Sequence, residues 1–276
     1  MAELGVAEVR AALLEDGSAH DVTTALLQDN ASRPARGVFF AEQRCVVAGL
    51  PLAGCVFRTL EPDARLDTHI REGEWANAGT PLASVSASAG ALLAGERVAL
   101  NFLQHLAGVA TLTRAAVDAV RGTGAQITHT RKTTPGLRAL ERYAVKLGGG
   151  VDNRASLADA VLWKDNHWML LERAGLSLAD ALRRAPPGVP VIVEVENEAQ
   201  LEQALAARVR HILIDNQPPD RVRRWVERAG PDVTTQASGG ITLQNVRAYA
   251  AAGVSLISMG ALTHSAPAVS IRFEIT

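Results

Sequence analysis

The residues best suited to chemistry lie in one stretch, 128–167, which is cationic although the whole chain has a formal net charge of only −1. Its basic residues include Arg131, Lys132, Arg138, Lys146, Arg154 and Lys164. Charge of one sign beside the glycine run Gly148–Gly150 predicts a pocket for an anion rather than a solvated helix face. Arg131 and Lys132 follow a β-prone run and precede Thr-Thr-Pro-Gly, which places them at a strand end. Arg138 and Lys146 are interpreted as surface residues.

The composition limits the class of protein. A length of 276 residues suits two modest domains or one barrel with an appendage, and 47% hydrophobic but only 4% aromatic residues favour an aliphatic α/β core. The near-zero net charge argues against general nucleic-acid binding. Cys45 and Cys55 form no metal-binding pattern, and the chain shows neither an apolar run of membrane-spanning length nor a signal-peptide pattern at its N-terminus. We therefore expect a cytoplasmic protein that does not bind membranes.

The first part of the chain mixes helices and strands without a regular order, which predicts a small α+β domain. Helices are expected over 4–15 and 51–60, and strands over 37–49 and within 65–88. A long helical stretch follows at 91–120.

Gly108, in the middle of that long stretch, suggests a break into two helices. Arg97 and Asn101 lie one helical turn apart on the same face, and spacing alone favours a surface role for Arg97.

From residue 126 onward, strands and helices alternate regularly. Strands are expected at 126–130, 143–148, 160–164, 190–196, 211–215, 233–237 and 255–259. Helices are expected at 135–142, 154–159, 171–184, 197–208, 218–229 and 242–252. Repeated βα units of this length predict parallel strands with right-handed crossovers, and hence a closed or open α/β barrel of about seven strands.

Polar or glycine residues end each expected strand, which predicts an active site on one rim of the barrel. These ends are Arg131-Lys132, Gly148–Gly150, Lys164, Glu194 and Glu196, Asp215, Ser238-Gly239-Gly240 and Ser258-Met259-Gly260. The last two, each expected before a helix, suggest a phosphate site made of backbone N–H groups. Tight turns that simply require glycine are the alternative.

Glu194 and Glu196 lie on the same face of one strand, and a carboxylate inside a barrel needs a partner. Lys164, Asp215 or a metal ion could supply it, and Glu196 with Asp215 would suit Mg²⁺ or sugar hydroxyls. A purely structural Lys–Glu pair is the alternative, above all for Glu194. His167 is expected to orient the loop that begins at Lys164. Cations, carboxylates and a phosphate cradle together suit glycosyl transfer from a phosphorylated sugar to an anionic acceptor.

Several long motifs in order resemble one family. TRKTTPGLRALERYAVKLGGG, KDNH, VEVE, ILIDN, ASGGITLQN and ISMGALTHSAPA are similar to segments of the quinolinate phosphoribosyltransferases. The resemblance covers the chain and implies the type II phosphoribosyltransferase fold: an N-terminal sandwich domain over 1–110, to which a final strand at 267–276 returns, and an open barrel over 111–266. It also implies a homodimer with shared active sites, and Mg²⁺.

The reaction implied by the resemblance belongs to NAD biosynthesis. Quinolinate and phosphoribosyl pyrophosphate would give nicotinate mononucleotide, pyrophosphate and CO₂. Lys132, Lys164, Glu196 and Asp215 would be catalytic, with Glu196 and Asp215 also binding the metal ion. Substrate contacts would further include Thr130, Arg131, Asn153, Arg154, Ser238, Gly239, Gly240, Ser258, Met259 and Gly260, and Arg97 from the partner subunit.

Some residues depart from the family pattern, and they motivate two other hypotheses. Asn153 and Gln236 stand where the family usually has His and Glu, and His129, His20 and Ser270 replace common Asp, Gly and Asp residues. The chain could accordingly be a phosphoribosyltransferase for another anionic aromatic acceptor. It could also be a non-catalytic ligand-binding paralogue, although the retained lysines and carboxylates argue against that.

Overall fold

The computed structural model describes residues 4–275, which form two compact units. In chain order the α-helices are α1 (Val6–Glu15), α2 (Leu50–Leu60), α3 (Ala89–Ala119), α4 (Arg138–Leu147), α5 (Asp165–Arg173), α6 (Leu178–Leu182), α7 (Glu198–Ala206), α8 (Pro219–Ala229), α9 (Val246–Ala251) and α10 (Ala261–His264). The strands are β1 (Pro34–Ala41), β2 (Cys45–Val46), β3 (Arg65–Thr68), β4 (Trp75–Ala76), β5 (Pro81–Ser88), β6 (Gln126–Thr128), β7 (Val161–Trp163), β8 (Val191–Val195), β9 (His211–Asp215), β10 (Thr234–Ser238), β11 (Leu256–Ser258) and β12 (Ile271–Ile275). Two 3₁₀ helices span Ser18–His20 and Thr24–Ser32.

The first unit comprises residues 4–114, 133–149 and 262–275. Its main sheet is antiparallel with the order β12-β1-β5-β3. Phe39, Phe57 and Phe273 pack their rings together, with centroids 4.5–6.2 Å apart, and so join β1, α2 and β12. The Phe273 ring packs directly against Gly37 and occupies the space that a side chain would need. A Cβ on Gly37 would be 2.0 Å from Phe273 Cζ. Residues 1–3 of the expected first domain and Thr276 of its expected final strand lie outside the described residues.

The expected break at Gly108 is wrong, because α3 runs without interruption through that residue. The glycine instead allows a close approach by another segment. A Cβ on Gly108 would lie 2.2 Å from the carbonyl oxygen of Pro267, which is inside any tolerable contact distance. This packing constraint comes from a residue far away in the sequence, so local periodicity could not reveal it.

The strand expected at 143–148 is also wrong, because this segment is part of α4. Leu140, Ala144 and Val145 are buried at helical spacing, and short apolar runs of this kind do not distinguish strand from helix by periodicity alone. The glycine run 148–150 therefore follows a helix rather than a strand. Gly148 packs against α3, where an added Cβ would be 2.6 Å from the Ala110 carbonyl oxygen.

Residues 133–149 belong to the first unit, whereas the sequence suggested a simple barrel over 111–266. The second unit comprises 115–132 and 150–261. Its parallel sheet has six strands in the order β6-β11-β10-β9-β8-β7, instead of about seven, and β6 and β7 are its edges. An isolated parallel bridge joins Thr128 of β6 to Val151.

The crossover helices of the second unit follow the expected rhythm only in part. Helices α7 and α8 lie where the pattern placed them. The expected helix at 154–159 is absent from the described residues, where this stretch forms bends. The helix expected at 171–184 is divided between α5 and α6 by Gly175, whose φ of +63° ends the first of them. Between residues 4 and 275, no helix is long and apolar enough to cross a lipid bilayer.

A Gly108→Ala substitution should destabilise the protein by about 1–3 kcal/mol, as overpacking does. The sign is informative because the same change in an ordinary helix interior stabilises by about 0.5–1 kcal/mol. Urea denaturation followed by circular dichroism measures the effect. Asn101→Ala at an exposed position of α3 is the matched control and should be stabilising by about 0.5 kcal/mol. A stabilised Gly108→Ala protein would contradict the close approach of Pro267.

Candidate active site

The carboxyl ends of the second unit's strands surround a cavity of about 290 Å³. Its walls combine apolar residues near the sheet with charged and polar residues at the strand ends. The lining residues are Thr130, Arg131, Lys132, Asn153, Arg154, Leu162, Lys164, Ile192, Glu194, Leu213, Asp215, Ser238 and Ser258. Four cations and two carboxylates therefore border a single cavity, which suits a ligand with several anionic groups.

The end of β6 and the segment after Val151 are held together through Asn153. Its side-chain amide donates to the His129 carbonyl at 3.0 Å, and its amide oxygen accepts from the Arg154 backbone N–H at 2.8 Å. Its own backbone N–H donates to His129 Nε2 at 3.2 Å. Because His129 is only 1% exposed, this arrangement fixes the backbone that carries Arg154.

The guanidinium of Arg154 is fixed near the edge of the sheet, and its charged form is destabilised by its surroundings. Its Nη1 donates to the Ala160 carbonyl at 3.1 Å. Burial, and then the positive charge of Arg131, lower the pKa of Arg154. Two guanidinium groups that repel each other in this way would both be stabilised by a shared anionic ligand.

Lys164 and Glu194 form an ion pair across β7 and β8. The Lys164 ammonium donates to Glu194 Oε2 at 2.9 Å. Burial raises the pKa of Glu194, and the hydrogen bond and charge of Lys164 only partly oppose that rise. His167 orients the loop at Lys164 as expected, since His167 Nδ1 accepts from the Lys164 backbone N–H at 3.0 Å. Trp168 Nε1 fixes β8 by donating to the Glu194 carbonyl at 2.8 Å.

Glu194, Glu196 and Asp215 bring carboxylate oxygens within 4.8 Å of one another. Gln217 ties their two strand ends together, because its amide donates to the carbonyls of Glu196 and Asp215 at 2.9 and 3.0 Å. Asn216 donates to the Asp215 carboxylate at 2.7 Å. Clustered carboxylates are the ligands that hard divalent cations prefer.

The loops after β10 and β11 expose backbone near the cavity. Gly239 has a φ of +93°, and a Cβ there would lie 2.1 Å from Asn216 Oδ1, so only glycine fits. The helix expected directly after Ser238-Gly239-Gly240 begins later, at Val246, whereas α10 starts immediately after Gly260. Only the second loop is followed directly by a helix start.

The structure brings most of the residues predicted from sequence to the cavity. Those on its wall are Thr130, Arg131, Lys132, Asn153, Arg154, Lys164, Asp215, Ser238 and Ser258. Glu196 lies beside them in the carboxylate cluster, and Gly239, Gly240 and Gly260 lie in the adjoining loops.

Met259 is 1% exposed and is not part of the cavity wall. Arg97 is exposed on α3 in the first unit, and its assignment to a site in a partner subunit stays a prediction.

Three apolar residues of the cavity wall are not among those predicted from the sequence. Leu162, Ile192 and Leu213 line the cavity, and period-two alternation from the strand-end residues could have identified them. Glu194 was considered mainly as a structural partner of Lys164. It does make that pair, and it also lines the cavity and belongs to the carboxylate cluster.

Two domains of one known protein family together match nearly the whole chain. Residues 21–107 match the N-terminal domain of quinolinate phosphoribosyl transferase, and residues 109–274 match its C-terminal domain. The chain is 39% identical to a probable nicotinate-nucleotide pyrophosphorylase (carboxylating) of Bacillus subtilis, over 95% of this chain and 90% of the relative. It is 44% identical to the nicotinate-nucleotide pyrophosphorylase (carboxylating) of Mycobacterium leprae, over 75% and 73% respectively.

Solved structures show the same similarity. The nicotinate-nucleotide pyrophosphorylase of Francisella tularensis superposes with a TM-score of 0.93 at 28% identity, covering 100% of this chain and 97% of that one. The enzyme of the same name from Ehrlichia chaffeensis gives a TM-score of 0.89 at 35% identity, with 97% of each chain covered. The fold of α+β unit and parallel-sheet unit is therefore shared with these proteins.

The buried carboxylate of Glu194 leads to a pH-dependent prediction. Burial raises the pKa of Glu194 in the folded chain above its value in the unfolded chain. Ionisation of such an acid lowers the free energy of unfolding when the pH exceeds both pKa values, and has no effect when the pH is below both. Glu194→Gln should therefore increase the free energy of unfolding at pH 7, and the gain should vanish as the pH falls below about 4. Urea denaturation at several pH values measures this.

The matched control is Glu202→Gln, at an exposed position where hydrogen bonding to Arg228 lowers the carboxyl pKa. A lowered pKa contributes stability above the unfolded value, so this variant should be less stable at pH 7, with a loss that shrinks in acid. Equal pH dependence in the two variants would contradict the burial cost assigned to Glu194.

Proposed function

Because the chain belongs to the quinolinate phosphoribosyl transferase family, we propose that it transfers the phosphoribosyl group of phosphoribosyl pyrophosphate to quinolinate. The products are nicotinate mononucleotide, pyrophosphate and CO₂, in NAD biosynthesis. The observation that carries the proposal is the cavity itself, where four cations and two carboxylates meet at the ends of parallel strands. The cations suit the anionic groups of a dicarboxylate and a polyphosphate, and the carboxylates suit the positive charge that develops on the ribose.

The acceptor's two carboxylates are bound by cations at the ends of β6 and β7. Arg131 and Arg154 offer planar guanidinium groups that match a carboxylate, while Lys132 and Lys164 provide point charges. Burial, and then repulsion by Arg131, lower the pKa of Arg154, and a dianion between the two guanidinium groups would relieve that repulsion. Thr130 and Asn153 support this side of the site through their backbone contacts.

The ribose of the donor is bound at the opposite wall, by Glu196 and Asp215. These carboxylates, with Glu194, form an all-oxygen donor set that fits Mg²⁺, which when bound would neutralise the pyrophosphate charge. Asn216 and Gln217 hold the two strand ends in place. The 5′-phosphate would be bound by the serine hydroxyls and backbone N–H groups of the last two strand-end loops, at Ser238, Gly239, Gly240, Ser258 and Gly260. Met259 is left out of this set, because its backbone N–H donates to the Thr128 carbonyl at 3.0 Å.

In the transfer step, the C1–O bond to pyrophosphate breaks and a bond from the acceptor ring nitrogen to C1 forms. Positive charge develops on the ribose ring, and the nearby carboxylates stabilise it. Lys132 and Lys164 stabilise negative charge on the leaving pyrophosphate and on the acceptor. Loss of CO₂ from the carboxylate next to the ring nitrogen then leaves the electron pair of the broken C–C bond on the ring carbon. The ring nitrogen, which is positively charged once it is bound to C1, stabilises this pair until the carbon takes up a proton from water.

The assembly and location of the protein are part of the same proposal. A homodimer in which Arg97 of one subunit reaches the acceptor site of the other would add a further cation. The exposed position of Arg97 on α3 is compatible with such a role. A cytoplasmic location accords with the two free cysteines, Cys45 and Cys55.

A second candidate function is transfer to a different anionic aromatic acceptor. Asn153 favours it, because this side chain places no charge beside the acceptor cations and its amide is engaged by the backbone of His129 and Arg154. A thermal-shift panel of pyridine carboxylates distinguishes the two functions. Selective stabilisation by quinolinate supports the first, and selective stabilisation by another ring acid supports the second.

Catalysis itself is tested by incubating the protein with quinolinate, phosphoribosyl pyrophosphate and Mg²⁺. Nicotinate mononucleotide should form, and omission of either substrate should abolish it. A folded protein that binds phosphoribosyl pyrophosphate but yields no mononucleotide would instead support a non-catalytic paralogue.

Arg131→Ala should raise the KM for quinolinate by about tenfold or more, because a hydrogen bond between charged groups is worth about 1.5–3 kcal/mol. The KM for phosphoribosyl pyrophosphate should change much less. Steady-state kinetics with each substrate varied in turn measure both constants. Lys146→Ala, at an exposed cation of α4 outside the cavity, should leave both unchanged. A selective effect on the donor would reject the acceptor role of Arg131.

A further inference from the structure

Three polar side chains form a hydrogen-bonded chain across neighbouring strands of the second unit. His211 begins β9, Gln236 lies inside β10, and Ser258 ends β11. His211 Nε2 is 2.7 Å from Gln236 Oε1, and Gln236 Nε2 donates to Ser258 Oγ. Each step moves along the strands toward their carboxyl ends, so the chain crosses the sheet diagonally.

The two ends of this chain face different cavities. Ser258 lines the candidate active site. His211 lines an adjoining cavity of about 220 Å³, which shares Asn153, Arg154 and Ile192 with the active-site cavity. Gln236 is 1% exposed and connects the two.

The chemistry of the amide gives the chain a direction. A carboxamide oxygen only accepts hydrogen bonds and its nitrogen only donates them. Since Gln236 Oε1 faces His211, the proton of that contact is on His211 Nε2. Since Gln236 Nε2 faces Ser258, the serine oxygen is the acceptor of that contact.

The hydroxyl proton of Ser258 is therefore not used by Gln236. Within residues 4–275, the structure shows no other side-chain partner for this hydroxyl, and its residue lines the active-site cavity. The Ser258 hydroxyl can therefore donate to a ligand in the cavity. An oxyanion in that position is bound, whereas a ligand group that can only donate is not.

The opposite direction requires a different histidine tautomer. If the only ring proton were on His211 Nδ1, the amide would have to turn, and Ser258 would donate to Gln236 and offer only lone pairs to the cavity. Burial lowers the pKa of His211 and so favours the neutral ring. Both the neutral ring with its proton on Nε2 and the fully protonated ring keep the observed direction.

We propose that Gln236, oriented by His211, is a positioning residue that makes the Ser258 hydroxyl a dedicated hydrogen-bond donor to an oxyanion in the active-site cavity. The proposal rests on the proposed function to the extent that this oxyanion is the phosphate of the ribosyl donor. A glutamate at 236 would not serve in this way, because a carboxylate can only accept and would take the Ser258 proton itself.

The tautomer of His211 tests the direction without any substrate. Two-dimensional ¹⁵N NMR of the full-length protein at neutral pH should show the ring proton on Nε2 and an unprotonated Nδ1. In Gln236→Glu, the adjacent carboxylate should raise the pKa of His211 above its wild-type value. A neutral His211 with its proton on Nδ1, or an unchanged pKa in the variant, would overturn the proposal.

Equilibrium binding of inorganic phosphate, measured by calorimetry, tests the consequence. Ser258→Ala and Gln236→Glu should each raise the Kd for phosphate by about tenfold. In the double variant, Gln236→Glu should add little to Ser258→Ala, because its effect passes through the serine hydroxyl. Gln203→Glu adds the same charge at an exposed position of α7 and should leave the Kd unchanged.

If Gln236→Glu raised the Kd for phosphate by the same factor in the wild-type protein and in Ser258→Ala, the proposal would be overturned. A wild-type protein that does not bind phosphate would overturn it as well. The outcome is separable from that of the proposed function, because phosphate binding requires neither quinolinate nor turnover. A protein that shows the coupling but makes no mononucleotide would retain the positioning role and reject the transferase reaction.

Discussion

Parallel pairing of the strands in the second unit is the constraint on which the site depends. The register places Ser238 beside Asp215 and Ser258 beside Thr128, so the strand ends lie level with each other. Side chains alternate along a strand, and the residues on the cavity face therefore recur at every second position. A slip of one residue in β8 or β9 would turn Glu194 or Asp215 to the other face of the sheet and replace it with an apolar neighbour.

The same pairing brings charges close to apolar side chains. Ala160, Ile192 and Leu213 form a core cluster with Leu162 packed against it, directly below the charged strand ends. Burial raises the pKa of Glu194 and lowers that of Arg154, so both groups are less stable in their charged forms than they would be in water. In the proposed function, substrates of opposite charge would compensate both groups. The site thus gives up stability for electrostatic contacts that are in place before substrates bind.

The spacing of apolar residues in the sequence predicted the strands and helices correctly where they alternate regularly, as in β8, β9, α7 and α8. It also placed Arg131, Lys164 and Asp215 at strand ends, from which their convergence follows. The same spacing gave wrong predictions where contacts with distant parts of the chain determine the local structure. Gly108 resembles a helix break until the Pro267 carbonyl is seen against it, and the apolar run ending α4 resembles a strand until its buried helical face is seen.

Asn153 shows how a substitution in a binding site can be compensated by its surroundings. Its amide is engaged at both ends by backbone groups of His129 and Arg154, so its effect on the proposed acceptor would pass through the position of Arg154. An imidazole at this position could not accept from the Arg154 N–H and donate to the His129 carbonyl with the same geometry, because its two nitrogens point apart. His129 meanwhile accepts from the backbone of Asn153 while almost fully buried. In the proposed function, recognition of a dicarboxylate would therefore rest on the arginine and lysine side chains, and the asparagine would hold the backbone that carries Arg154 in place.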